Sequence, residues 1–113
     1  SAAAPVTAPG MFSRHYSPRT ALQLVERAAL IQPQPPGTAI IFLQAPGQDM
    51  RTTPHHFWLS ENGDPGQMAH ALFALLRHLD QAGYTRLVCE VPPAGTTGLL
   101  SALRDRLLRA ASH

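Results

Sequence analysis

Thr38-Ala39-Ile40-Ile41-Phe42-Leu43 stands between Gly37 and Pro46, and from Ala39 onward it carries no polar side chain. A strand with one wet face alternates apolar and polar residues. An unbroken apolar run predicts instead a strand covered on both faces, as in a parallel sheet between layers of helix. Leu87-Val88-Cys89, within residues 86–91, reads the same way. Two weaker strands flank these runs: residues 20–25 alternate loosely, and His55-His56-Phe57-Trp58-Leu59-Ser60 is rich in strand-favouring types.

The remaining apolar residues fall at helical spacing. After Asn62-Gly63-Asp64-Pro65-Gly66, the residues Met68, Ala69, Leu72, Phe73, Leu76 and Leu79 form one stripe, with Gly83 expected as the C-terminal cap. Thr96 or Thr97 is suited to cap a last helix whose stripe is Leu99, Leu100, Leu103 and Leu107. Its solvent face carries Arg104, Asp105 and Arg109, the last two positioned to pair one turn apart. A brief helical turn over residues 26–31 stops at Gln32-Pro33. Apolar strands alternating with amphipathic helices predict a small three-layer α/β domain with a mostly parallel sheet. We place that domain at residues 20–113, preceded by an extended linker arm over residues 1–19. No internal repeat is visible.

Composition narrows the function. A chain of 113 residues, 44% of them apolar, suits one domain that buries roughly two-thirds of its unfolded surface. Its eleven prolines and eight glycines concentrate in the arm and in residues 32–37, 45–54 and 92–98, marking punctuation between elements. The net charge is only +2, and the basic residues are all arginines, scattered without a basic run, so direct nucleic-acid binding is not expected. A single cysteine, Cys89, excludes an intrachain disulfide and reads as an inert buried thiol. No apolar stretch approaches the ~18 residues that span a bilayer, and no secretory leader is evident, so a cytoplasmic protein without a membrane partner is expected.

Candidate sites are few. Ligands in open α/β sheets lie beyond the carboxyl ends of the strands, which here means Glu90 to Gly98. Glu90, Gly95, Thr96 and Thr97 form a possible ligand loop, with backbone amides at the start of the last helix to hold an anion. The plainer reading is a strand-ending glutamate and an ordinary helix cap, since neither a phosphate-binding nor a dinucleotide fingerprint is present. His55 and His56 are strand neighbours that point to opposite faces, and His70 and His78 stand too far apart on one helix, so no metal site is expected. Asp80 and Glu90 make no recognisable acid/base pair, and we expect no catalytic residue in this chain.

The arm is more distinctive. Pro9-Gly10-Met11-Phe12-Ser13-Arg14-His15-Tyr16-Ser17-Pro18-Arg19 has no helical or strand periodicity, yet combines arginine, histidine and aromatic side chains suited to phosphate or carboxylate groups. Its alternative is a surface linker whose aromatics pack on the domain that follows. The segment resembles the interdomain linker of long-form threonylcarbamoyl-AMP synthases, a pattern that runs Pro-Gly-Met-x-x-Arg-His-Tyr-x-Pro. Pro9, Gly10, Met11, Arg14, His15, Tyr16 and Pro18 match it, while Phe12 and Ser13 stand where the family often has a basic residue and an aromatic. Leu72 to Asp80, Leu87 to Pro93 and Asp105 to Ala111 resemble, in that order, the C-terminal accessory domain of the same enzymes.

The resemblance implies a Rossmann-like, non-catalytic accessory domain that follows a YrdC-type catalytic domain in cis, or works with one in trans. It implies ATP, L-threonine and bicarbonate as substrates of that catalytic domain, with Mg, and no cofactor held by this chain. The product implied is threonylcarbamoyl-AMP, on the path to modified tRNA adenosine 37. Arg14, His15 and Tyr16 would close over the catalytic pocket. Two alternatives remain: an independent module binding a nucleotide or threonine at the Glu90 loop, and a freestanding chain docking through Phe12 or Trp58. For Trp58, core packing is the plainer role.

Overall fold

In the computed structural model, residues 18–112 are described. Four strands and four helices alternate: β1 (Ala21–Val25), α1 (Arg27–Leu30), β2 (Thr38–Gln44), α2 (Gln48–Arg51), β3 (His56–Ser60), α3 (Pro65–Asp80), β4 (Arg86–Glu90) and α4 (Gly98–Ala111). The strands form one sheet in the order β1-β4-β2-β3, and every neighbouring pair is parallel. The two central strands are the two unbroken apolar runs of the sequence, as burial on both faces requires.

Strand alternation divides the core in two. Ala39, Ile41, Leu43, Leu59, Leu87 and Cys89 face α3 and α4, where Leu72, Leu76, Leu79, Leu103 and Leu107 are fully buried. Ile40, Phe42 and Val88 point the other way, under Leu30 of α1, with Met50 of α2 and Trp58 packed beside them. The β1-to-β2 and β2-to-β3 connections therefore cover one face, and the returning β3-to-β4 connection covers the other. Reversing direction across the sheet while changing faces keeps the crossovers of one hand.

Local chemistry sets the ends of α3. Asp64 caps it, Oδ2 accepting from the Gln67 amide at 3.0 Å, and Pro65 occupies the first helical position, where its missing N–H costs nothing. The helix stops at Asp80 and its C-cap is Gln81, in ordinary right-handed geometry. Gly83, expected as the cap, lies two residues further on, where a φ of 92° turns the chain toward β4. In α4, Thr97 is the N-cap residue but makes no side-chain capping bond. The buried stripe of α4 is Leu103, Leu107 and Ala110 with Leu100 half-buried, whereas Leu99 in the first turn is 57% exposed. The turn α2 falls inside residues 45–54, read from sequence as punctuation only; one helical turn is too short to show a period.

Candidate functional site

Parallel strands bring all four carboxyl ends to one edge. There the chain leaves β1 and β2 toward one face of the sheet and leaves β4 toward the other, so the loops part around the end of β4 and open a crevice. Glu90, the last residue of β4, sits in it with its side chain 13% exposed. Its Oε1 accepts from the Leu43 amide of β2 at 2.9 Å and from Nη1 of Arg27 at 3.0 Å. The Arg27 guanidinium also lies over the Phe42 ring, 5.2 Å from its centroid. Across the crevice, Arg104 of α4 donates from Nε to the Pro92 carbonyl at 3.1 Å.

The result is a cleft of about 480 Å³ lined by Glu26, Arg27, Glu90, Pro92, Pro93 and Arg104. A second cleft of about 490 Å³ lies beyond the Arg27–Glu90 pair, toward Gln44, Gly63 and Leu100. Glu90 lines both clefts, whereas Gly95, Thr96 and Thr97 line neither. Thr96 does show one unusual property: its Oγ1 is buried without a hydrogen-bond partner. Arg27 carries no signal in the sequence, and Arg104, expected on the solvent face of the last helix, is instead half-buried at the cleft. Only the identity of each charged residue was visible, and nothing in the spacing of Arg27, Glu90 and Arg104 announces their meeting.

Of the arm, Pro18 is buried and the Arg19 amide donates to the Asp80 carboxylate, as does the amide of Thr20 at the start of the domain. Pro9, Gly10, Met11, Phe12, Arg14, His15 and Tyr16 lie outside the described residues.

Of the histidine pair expected as strand neighbours, only His56 lies in β3, so strand alternation does not place His55. His55, at φ 69° just before β3, pairs its Nδ1 with the Tyr84 hydroxyl at 2.9 Å, while the His56 ring packs edge-on against Phe42. Among the described residues, no group of three or more His, Cys, Asp or Glu side chains could hold a metal ion. Cys89 is fully buried, and desolvation together with the neighbouring Glu90 charge pushes its thiol well above the ordinary range. On the outer face, Arg51 hydrogen-bonds Glu61 and holds its carboxyl below the ordinary range, with the Arg51 guanidinium 5.5 Å from the Trp58 ring centroid.

Comparison with known protein families matches residues 1–112 to the family described as threonylcarbamoyl-AMP synthase, C-terminal domain. The chain belongs to that family. The match spans the arm and the α/β domain alike. Searches of curated proteins and of solved structures returned no significant match. As a threonylcarbamoyl-AMP synthase C-terminal domain, the chain falls in a family tied to tRNA modification, consistent with a catalytic partner domain. No helix among the described residues is long and apolar enough to cross a membrane.

Proposed function

We propose that this chain is a non-catalytic accessory domain of an L-threonylcarbamoyladenylate synthase, and that its N-terminal linker gates the pocket of a YrdC-type catalytic domain acting in cis or in trans. The observation that carries this reading is a family match running without a break from the arm into the domain. The catalytic domain, with ATP and Mg, condenses L-threonine and bicarbonate into threonylcarbamoyl-AMP in the cytoplasm and releases pyrophosphate. Arg14, His15 and Tyr16 reach over that pocket, exclude water and limit loss of the labile carbamoyl-adenylate. Pro9 and Pro18 stiffen the arm and lower the entropy lost when it docks. The test is pyrophosphate release by a YrdC-type domain with and without this chain. We expect Arg14→Ala and Tyr16→Ala each to lower product yield by roughly ten- to hundredfold while the domain stays folded. Unchanged yield in both variants removes the lid.

A second reading is favoured by the Arg27–Glu90–Arg104 cleft. Two guanidinium groups flanking a carboxylate at the carboxyl edge of a parallel sheet suit a nucleotide or an amino acid, held independently of any catalytic domain. Calorimetry of the chain with ATP, AMP and threonine separates the two readings. Saturable heat abolished by Arg104→Ala supports a ligand module, and no heat at millimolar ligand eliminates it.

A further inference from the structure

Asp80 is the last residue of α3, where the helix carbonyls already concentrate negative charge, so its carboxylate opposes its own helix. Arg77 and His78 of the same turn are the types that position favours. The carboxylate instead serves a segment sixty residues away. Its Oδ2 accepts from the Arg19 amide at 3.0 Å, and its Oδ1 accepts from the Thr20 amide at 2.8 Å and the Thr20 hydroxyl at 2.7 Å. Pro18, immediately before them, is fully buried.

β1 has a ladder of its own beyond the clip: Ala21–Val25 is in register with β4 along its whole length, from Ala21 opposite Arg86 to Val25 opposite Glu90. What the clip fixes is the short segment through which the arm enters the domain. It ties that segment to a helix whose Leu72, Leu76 and Leu79 are fully buried, so the attachment point cannot drift with a loose element. Aspartate is short, with two rotatable bonds, and charge-assisted bonds to two successive amides leave the backbone little freedom.

We propose that Asp80 is a positioning residue: it fixes the backbone at Arg19 and Thr20, where the N-terminal arm joins the domain, and through that point supports the action of the gating linker. The inference rests on the lid reading above. A tether whose origin is fixed samples a smaller volume and returns its tip to the catalytic pocket more often than one free to pivot.

The experiment joins this chain behind a YrdC-type catalytic domain and compares Asp80→Ala, Asp80→Asn and Thr20→Val with Arg14→Ala. In Asp80→Ala, amide exchange at Arg19 and Thr20 should accelerate by roughly tenfold, and kcat for pyrophosphate release should fall roughly three- to tenfold with the KM for ATP unchanged. Asp80→Asn retains one acceptor and should fall between. Thr20→Val removes only the hydroxyl donor; it should shift kcat in the same direction by less, and it keeps the proposal testable if Asp80→Ala unfolds. If Asp80→Ala and Thr20→Val lower the melting temperature but leave kcat intact while Arg14→Ala reduces it, the anchor is overturned and the lid stands. If Arg14→Ala is also without effect, the lid falls and the anchor falls with it.

Discussion

The carboxylate of Glu90 receives the Leu43 amide from the neighbouring strand and the Arg27 guanidinium from the turn after β1. These two contacts differ in weight. Arg27 is 46% exposed, so its ion pair is screened by water and contributes little by itself. The amide of buried Leu43 has no comparable access to solvent, and removing its acceptor leaves a donor unpaired. Glu90→Ala should therefore destabilise the domain by about 1–3 kcal/mol, read as a lower denaturant midpoint at constant slope. Glu90→Gln, which still offers an oxygen to Leu43, should cost less than half as much. Equal losses in the two variants would show that the charge, and not the acceptor, matters. A polar residue closing an apolar strand was legible in the sequence; its partners, 47 and 63 residues away along the chain, were not.

At the scale of elements, α3 was the most legible because its apolar stripe repeats over several turns. The structure adds what starts it: Pro65 in the first helical position and Asp64 before it as the cap. The capping aspartate is itself held, since its amide donates to the Ser60 hydroxyl at 3.0 Å and that hydroxyl donates to Gln67 at 2.7 Å. Asp64→Ala should lower stability by about 1 kcal/mol, visible as a fall of several degrees in the thermal midpoint, and Asp64→Ser should restore most of it. No loss in the alanine variant would mean that the Ser60 network, not the cap, sets the start of α3. In α4 the stripe was legible but its membership was not. Leu99 shares the spacing of the buried leucines and still lies exposed, because a period gives a helix face and not the extent of the surface beneath it.

At the scale of the whole molecule, the sheet is covered unequally. Two long helices bury the centre of one face, with Leu22, Leu24 and Phe57 half-buried at its margins, while two single turns and a pair of arginines, Arg27 over Phe42 and Arg51 over Trp58, roof the other. Trp58 accordingly ends half-buried, with part of its packing supplied by a cation. The arm joins the domain at the edge strand β1, through the Asp80 clip, and so enters beside the well-covered face.

The sequence by itself determined the class of fold, because hydrophobic period is a local property: unbroken runs give strands buried on both faces, and three-and-four spacing gives the covering helices. It also carried the family resemblance, since the order of motifs is written along the chain. Strand order, the unequal covering of the two faces, the meeting of Arg27, Glu90 and Arg104, and the anchoring of the arm by Asp80 were decided only in three dimensions. Each depends on side chains far apart in sequence reaching hydrogen-bond or packing distance, and no local pattern encodes which distant segments will become neighbours.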